Sequence, residues 1–425
     1  MRSRVYSAFL VGCLGCLACA LALSACGSAG ASAQHGASSA SNEYRLTDCN
    51  AAAEAQSAPA RRHLAASASV YVSEILGSVI ALAADDGAQQ WCVHIKLVRY
   101  TYNCPPGAHC PGPPVARVGQ PLIADGMAFV CASGGADGVM FAFNAADGAL
   151  RWSQATGCIS SDGPYVDDAQ PILVGGVLYT GADGLDPATG AVRWRLPSAL
   201  APDSICAVAD GMVYVYDADT GDTIIAVRLA NGAVVWSTEL TGEVSGRPLI
   251  EGGTLYIGDF NGGGQVIPPP PNLPDMYALN AYTGAVQWQS PTGPVWSAAA
   301  LGANGLLYIS ATTLDALDPA TGAIRWRSHH TVNTTQTALV PAPGVIYYVD
   351  DGAYAVDTGA ETVRWHVTLD PSHSSYFVGP SLYGGALYVA GVNGSGQSIL
   401  YALDAATGAV LWQRGGFDQL TAPTV

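Results

Sequence analysis

Short apolar segments separated by glycine-rich turns make up most of the chain after residue 66. The clearest example runs from Tyr401 to Trp412. Its first residues alternate in side-chain direction, as a half-buried strand requires. Asp404 can accept backbone hydrogen bonds inside a turn, and Gly408 can take the positive φ that a tight hairpin needs. The segment therefore predicts two antiparallel strands joined by a tight turn.

This segment occurs eight times. Aligned on the final aromatic residue, the copies end at Trp91, Trp152, Trp194, Trp236, Trp288, Trp326, Trp365 and Trp412. Glycine stands four residues before seven of these tryptophans, and an apolar residue stands nine residues before all eight. Successive tryptophans lie 61, 42, 42, 52, 38, 39 and 47 residues apart. A period near forty with short strands predicts a β-propeller, in which we interpret the tryptophans as structural wedges between blades.

A second hairpin recurs inside the periods. From the second period onward, an apolar run breaks at a small turn and resumes before the tryptophan segment, as in residues 382–389. Two hairpins supply four strands, which is one propeller blade. The sequence therefore predicts an all-β fold, an eight-bladed β-propeller of four-stranded antiparallel blades over residues 66–425.

The two ends of the predicted propeller complement each other. The strand that should precede Val70 lacks the usual apolar-turn-apolar form, while the chain continues past Trp412 and stops after Leu420–Val425, which matches the start of a blade. We predict that this C-terminal strand completes the first blade and closes the ring, leaving no open edge between the last blade and the first.

One copy of the turn lacks its glycine. Glu361 occupies that position, and a glutamate at positive φ is strained. Because Gly359 is two residues away, we predict a different turn in which Gly359 takes the positive φ instead.

The pattern A-L-[DN]-x-x-T-G-x-x-x-W is strict at Trp288, Trp326 and Trp412. It resembles the blade motif of the pyrroloquinoline-quinone-like (quinoprotein-type) eight-bladed propellers. That superfamily contains redox enzymes and non-enzymatic scaffolds, so the resemblance implies the fold more strongly than an activity. Its dehydrogenases hold their quinone with a disulfide between adjacent cysteines, a calcium set of Glu, Asn and Asp, and a catalytic Asp. The chain after residue 26 has no adjacent cysteines, and we predict no catalytic residue, cofactor or metal.

The N-terminus reads as a targeting segment. Arg2 and Arg4 precede a mostly apolar stretch that ends in Leu23-Ser24-Ala25-Cys26. These last residues resemble a bacterial lipobox, which implies removal of residues 1–25 and a diacylglyceryl lipid on the Cys26 sulfur. The alternative is an ordinary signal peptide with an incidental cysteine. Residues 26–65 are rich in Ala, Ser and Gly, so we predict a flexible tether.

The net charge limits the expected partners, and the cysteines indicate disulfides. The net charge is −16 without a basic run, which excludes nucleic acid as an expected partner. Beyond Cys26 the chain has seven cysteines, Cys49, Cys92, Cys104, Cys110, Cys131, Cys158 and Cys206. In an exported protein they predict disulfides with one thiol left over. We favour a Cys104–Cys110 pair; a zinc site that includes His109 is the alternative, and the other pairings stay open.

Two periods contain inserts, residues 98–115 and 261–274, whose prolines predict surface loops. Such loops carry recognition on a rigid scaffold, or they are tolerated decoration. Asp217, Asp219 and Asp222 form an acidic turn, explained by turn conformation or by a metal. Trp296 lies outside the repeat, either in the core or at the central opening.

Together these features predict an exported, membrane-anchored lipoprotein that faces the periplasm or the cell exterior. Its expected role is non-enzymatic: a binding or scaffold module at the cell envelope whose partner is another envelope protein or a surface ligand. One alternative is a dehydrogenase that depends on pyrroloquinoline quinone. Another is the periplasmic propeller lipoprotein of outer-membrane β-barrel assembly, which the lipobox, the size and the eight blades resemble.

Overall fold

The computed structural model describes residues 43–49, 56–57, 68–99, 116–133, 138–158, 170–196, 205–216, 221–260, 275–295, 298–331, 338–369, 376–392 and 397–425. Its strands form eight antiparallel sheets, each of which is one blade. The predicted eight-bladed propeller is confirmed. No helix in this part of the chain is long and apolar enough to cross a membrane.

The strands follow one another blade by blade along the chain. Ahead of the blades lie β1 (Glu43–Asp48) and β2 (Gln56–Ser57). Blade 1 contains β3 (Ser69–Glu74), β4 (Ser78–Ala83) and β5 (Gln89–Arg99). Blade 2 contains β6 (Arg117–Val118), β7 (Leu122–Ala124), β8 (Met127–Ser133), β9 (Gly138–Asn144) and β10 (Leu150–Thr156). Blade 3 contains β11 (Ile172–Val174), β12 (Val177–Thr180), β13 (Asp183–Leu185) and β14 (Val192–Arg195). Blade 4 contains β15 (Ile205–Ala209), β16 (Met212–Tyr216), β17 (Thr223–Arg228) and β18 (Val234–Glu239).

The second half of the chain repeats this order. Blade 5 contains β19 (Glu243–Glu251), β20 (Thr254–Phe260), β21 (Met276–Asn280) and β22 (Val286–Ser290). Blade 6 contains β23 (Ala300–Leu301), β24 (Leu307–Ser310), β25 (Thr313–Leu317) and β26 (Ile324–Thr331). Blade 7 contains β27 (Val340–Ala342), β28 (Val345–Val349), β29 (Gly352–Asp357) and β30 (Thr362–Thr368). Blade 8 contains β31 (Tyr376–Tyr383), β32 (Ala386–Val392), β33 (Ser398–Asp404) and β34 (Val410–Phe417).

Antiparallel pairing gives the disc two different ends. We call the strands of a blade a, b, c and d from the centre outward. Because their directions alternate, the a–b and c–d turns lie at one end, which we call the turn face. The b–c turns and the connections between blades lie at the other end, which we call the loop face. Each d strand carries the repeated tryptophan and is the outermost of the four blade strands; in blades 1 and 8 it is covered in turn by β1 and β2.

The C-terminal residues close the ring, as predicted. The backbone N–H of Tyr71 donates to the carbonyl of Thr424 at 2.7 Å, and the N–H of Thr424 donates back at 2.9 Å. The N–H of Thr421 donates to the carbonyl of Ser73 at 2.9 Å. These bonds place residues 420–425 beside β3 as the a strand of blade 1.

Part of the predicted tether belongs to the propeller. β1 pairs with β5 at the outer edge of blade 1, and β2 pairs with β34 at the outer edge of blade 8. A disulfide between Cys49 and Cys92, with Cα atoms 5.4 Å apart, fastens the end of β1 to β5. Residues 43–49 and 56–57 are therefore ordered against the outer rim, although they fall within the range predicted as a flexible tether.

The hydrophobic core consists of eight clusters, one in each seam between neighbouring blades. In six of the eight seams, the tryptophan of one blade lies against the turn glycine of the next. A Cβ on Gly87 would come within 2.8 Å of the Trp412 ring, so only glycine fits that approach. The Trp412 indole N–H also donates to the Ala84 carbonyl at 2.9 Å. The repeat thus joins each blade to the next.

The prediction for the seventh turn is wrong. Glu361 itself takes the positive φ, at 57°, and Gly359 does not. The Glu361 N–H donates to the Asp357 carbonyl at 2.9 Å, as the Gly408 N–H donates to the Asp404 carbonyl at 2.7 Å. The Asp357 carboxylate accepts from the Gly359 N–H at 2.8 Å, which keeps Gly359 in the ordinary position of this turn. The hydrogen bonds common to these turns therefore decide the conformation, despite the glutamate.

Candidate interaction face

Both predicted inserts attach to the loop face. The first follows β5, and the described chain resumes at Ala116; the second joins β20 to β21 as the b–c connection of blade 5. Most of both inserts lies outside the described residues. The sites at which they join the propeller are described, and those sites carry the chemistry of this face.

Two buried aspartates stand where the second insert joins blade 5. Asp259 and Asp275 face each other across β20 and β21, and the Asp259 N–H donates to the Asp275 carbonyl at 2.9 Å. Asp259 is 0% exposed and Asp275 is 5% exposed. The Gly242 N–H and the Thr241 hydroxyl donate to Oδ2 of Asp259, at 2.9 and 3.2 Å. The blade 4–5 connection thereby holds one oxygen of this carboxylate.

Ionisation of both Asp259 and Asp275 at the same time is electrostatically unfavourable. Burial, reinforced by the charge of Asp275, raises the pKa of Asp259 to about 6 against the hydrogen bond from Gly242. Among the described residues, Oδ1 of Asp259 has no hydrogen-bond partner, which is costly for a buried carboxylate. Protonation of Asp259 relieves the repulsion, so this corner of the loop face changes charge in mildly acidic conditions.

Blades 3 and 6 treat buried aspartates differently. Asp183 pairs with Arg195, with Oδ1 and Nε 2.6 Å apart. Asp315, which is 0% exposed, lies 2.7 Å from the Arg327 guanidinium. A half-exposed arginine on the neighbouring d strand therefore compensates each carboxylate. These two pairs are structural, in contrast to the acidic pair of blade 5.

A ring stack occupies the loop-face half of blade 7. Tyr348 and Tyr354 stack with centroids 4.7 Å apart, and His366 stacks on Tyr354 at 4.1 Å. The Tyr354 hydroxyl donates to Asp351 at 2.6 Å, and Nε2 of His366 lies 3.4 Å from the same oxygen. Burial raises the pKa of the Tyr348 phenol, which therefore stays neutral. The stack presents an exposed histidine beside a carboxylate at the outer rim.

Polar side chains link the innermost strands. The Arg247 guanidinium of β19 donates to the Gln170 carbonyl, which connects blade 5 with blade 3. The Gln170 amide donates to the Pro121 carbonyl at 3.2 Å, and the Gln120 amide donates to the Thr424 hydroxyl at 3.2 Å. These contacts hold the a strands to one another around the centre of the disc.

A family profile described as "Outer membrane protein assembly factor BamB" matches residues 51–185, 182–289 and 274–415. These ranges span most of the chain and follow the blades. The chain belongs to the BamB family.

Individual relatives are more distant. The BamB of Yersinia pestis is 29% identical over 196 residues, which cover 44% of this chain and 45% of that protein. The BamB of Moranella endobia is 21% identical over 359 residues, which cover 78% of this chain and 82% of that protein. The chain thus spans less than half of the Yersinia relative.

Solved structures share the fold. BamB from Moraxella catarrhalis is 17% identical with a TM-score of 0.52, over 88% of this chain and 98% of that chain. A quinohemoprotein alcohol dehydrogenase from Pseudomonas putida HK5 is 15% identical with a TM-score of 0.51, over 72% of this chain and 67% of that chain. At these identities the likeness concerns the fold alone, as expected for a propeller that hosts several functions.

This BamB-family chain does not carry the quinone-binding cysteines of the dehydrogenases. Its described disulfides join Cys49 with Cys92 and Cys131 with Cys158, 43 and 27 residues apart. All four cysteines lie on outer or b strands or on the segments next to them, and none is adjacent to its partner. These disulfides therefore do not supply the adjacent-cysteine feature with which the dehydrogenases hold their quinone. Among the described residues, no group of three or more His, Cys, Asp or Glu side chains is placed to hold a metal ion.

The structure describes some of the residues singled out from the sequence but not others. All eight repeated tryptophans lie in seams, whereas Cys26, Cys104, Cys110, Trp296 and the aspartates 217 and 219 lie outside the described residues. Asp222 accepts a hydrogen bond from the Thr223 hydroxyl at 2.9 Å, in the b–c turn of blade 4.

Sequence reasoning missed the aromatic partner of the tryptophan. In five seams a tyrosine of the b strand donates to the same carbonyl as the indole; Tyr388 and Trp412 share the Ala84 carbonyl at 3.1 and 2.9 Å. The available signal was a tyrosine in the second apolar run of the hairpin that precedes the tryptophan segment, as at Tyr388 in residues 382–389. The Asp259–Asp275 pair had no comparable signal, because the insert separates the two residues.

Proposed function

We propose that this BamB-family protein is a lipid-anchored, non-enzymatic scaffold of the cell envelope whose loop face binds a partner protein of the outer-membrane assembly machinery. The family match over residues 51–415 carries the proposal, since the relatives are named as outer-membrane assembly factors. The site at which this chain would make the contact is the loop face, where both inserts and the acidic pair of blade 5 lie. The turn face consists of short hairpins of nearly constant length.

Site-specific photo-crosslinking in the native host tests the face. Thr312 and Thr321 are exposed threonines of blade 6; Thr312 lies in the b–c turn on the loop face, and Thr321 lies in the c–d turn on the turn face. Each is replaced in turn by a photoreactive amino acid. We expect an adduct with an envelope protein from position 312 and none from position 321. Equal adducts, or an adduct from position 321 alone, would contradict the proposal.

The anchor is tested separately. Cys26→Ser should abolish labelling with palmitate and leave the protein unprocessed or free of the membrane fraction. Equal labelling of the variant and the wild type would exclude Cys26 as the lipid site.

A third measurement addresses the rival enzyme. Purified protein is incubated with pyrroloquinoline quinone and Ca²⁺, and dye reduction is assayed with alcohols and sugars. We expect no turnover above the rate without protein. Quinone-dependent turnover would replace the scaffold proposal with a dehydrogenase.

A further inference from the structure

The N-terminal strand enters the propeller at a particular corner. Glu43 of β1 pairs with Arg99 at the loop-face end of β5, and Asp48 pairs with Val93 further down that strand. β5 runs from the turn face to the loop face, so β1 runs in the opposite direction. The chain that precedes Glu43 therefore joins the disc at the outer rim of blade 1, on the loop face.

At this corner β1 and β5 project beyond the rest of the blade. β4 pairs with β5 only from Gln89 to His94, whereas β1 pairs with β5 up to Arg99. Residues 96–99 and 43–45 therefore form a two-stranded ribbon that stands above the loop face. Leu46 of β1 and the buried Ile95 of β5 belong to the blade 1–2 core, which fixes the base of this ribbon.

The ribbon carries an unusual pair of charges. Arg45 and Lys96 lie directly opposite each other, and both are exposed. Like charges at directly opposed positions are unfavourable in a sheet. Neither residue forms an ion pair within the part of the chain that the structure describes. By contrast, Arg193, Arg195, Arg325, Arg327 and Arg364 all pair with aspartates.

The setting makes this pair more distinctive. The chain carries a net charge of −16, and Lys96 is its only lysine. An acidic disc is repelled by an anionic membrane surface, so an exposed basic corner is the part that such a surface attracts. The exposed charges of Arg45 and Lys96 are complementary to phosphate groups in the headgroups of acidic phospholipids.

The tether places the ribbon near the membrane. This step rests on the proposed lipid at Cys26. It also rests on the predicted flexible tether, whose 17 residue-to-residue steps from Cys26 to Glu43 would give a root-mean-square reach of roughly 23 Å. The 11 residues of β5 span about 36 Å from one face to the other. The loop-face corner of blade 1 is therefore held closer to the bilayer than the turn face.

We propose that the Arg45–Lys96 ribbon contacts acidic phospholipid headgroups and turns the loop face of blade 1 towards the membrane. Each basic residue near an anionic surface contributes on the order of a fivefold preference. That is too little for stable binding alone, but it is sufficient to orient a protein that a lipid already anchors.

The accessibility of Lys96 can be measured directly by amine acylation, because Lys96 is the only lysine in the chain. Lipidated wild-type protein is reconstituted in vesicles of phosphatidylcholine alone and in vesicles with added phosphatidylglycerol. The acylation rate of the peptide that contains Lys96 is then measured by mass spectrometry. We expect at least fivefold slower acylation on the anionic vesicles, and loss of this protection in 0.5 M salt.

Two variants make the test specific. Arg45→Gln should remove most of the protection, whereas Arg151→Gln, at an exposed arginine on the outer strand of blade 2, should leave it unchanged. Equal acylation on both vesicle types, or equal effects of the two substitutions, would overturn the proposal. Flotation with neutral vesicles separates this failure from failure of the anchor, because only a protein without its lipid fails to float.

Discussion

The seam between blades 8 and 1 buries an aromatic pair whose polar atoms are hydrogen-bonded, whereas the loop-face end of blade 5 buries two carboxylates side by side. In the seam, the Trp412 indole and the Tyr388 hydroxyl donate to one carbonyl at 2.9 and 3.1 Å. In blade 5, Oδ1 of the buried Asp259 has no partner within the described part of the chain, and a second carboxylate faces it. The indole and the phenol are thus satisfied across the closing seam, although the buried Oγ of Ser73 and Nε of Arg414 beside it have no partner among the described residues. Blade 5 retains an unfavourable charge at the attachment site of an insert.

Deletion of residues 420–425 should have the largest effect, because it removes the a strand of blade 1. Three backbone hydrogen bonds and the burial of Leu420 are lost, which amounts to about 5 kcal/mol. We expect a large fall in the thermal unfolding midpoint. Leu420→Ala, which keeps the backbone bonds, should cause a smaller fall. An unchanged midpoint in the deletion variant would mean that the seam does not depend on this strand.

The next test compares two seams. Trp412 is 1% exposed, so Trp412→Ala should cost about 3–5 kcal/mol. Trp326 is only half-buried, and no hydrogen bond of its indole is present among the described residues. Trp326→Ala should therefore cost clearly less in urea unfolding. Equal losses would show that the closing seam is no stronger than the others.

Asp259→Asn tests the other side of the comparison. The folded pKa of about 6 lies above the ordinary value of 3.8. The unfolded chain therefore ionises first, and stability falls as the pH rises from about 4 to about 6. At pH 8 the substitution should raise the unfolding free energy by about 1–3 kcal/mol, with little change at pH 4. Asp315→Asn, which breaks an arginine pair, should lower stability. A loss at pH 8 from Asp259→Asn would contradict the unfavourable pairing.

The smallest expected change in stability comes from backbone strain at Glu361, in the c–d turn of blade 7. Glu361 holds a φ of 57°, so Glu361→Gly should stabilise the protein by about 1 kcal/mol. Gly408→Glu places the same residue against the Trp365 ring and should be clearly destabilising. Differential scanning calorimetry of both variants measures the contrast. No gain from Glu361→Gly would mean that the glutamate is not strained.

Local and repeated features could be predicted from the sequence, and contacts between distant segments could not. Gly408 and Trp412 determine a turn and a seam within twelve residues, and eight copies of that segment define the ring. The role of residues 420–425 followed from an incomplete first blade. The Cys49–Cys92 disulfide, by contrast, depends on β1 folding back onto β5, which no periodic pattern indicates. The seventh turn was misjudged because Gly359 suggested an alternative, whereas the Asp357 hydrogen bonds maintain the ordinary conformation.

The position of the Cys49–Cys92 disulfide also determines how the protein bears mechanical load. A force applied to the chain before Glu43 acts on the loop-face end of β1. It breaks the hydrogen-bonded pairs between β1 and β5 one after another. The opening stops at Cys49, because the covalent bond to Cys92 cannot be peeled apart. From there the load enters β5 and the sheet of blade 1, whose innermost strand is the C-terminal segment. A pull on one end of the chain is thus resisted by the other end.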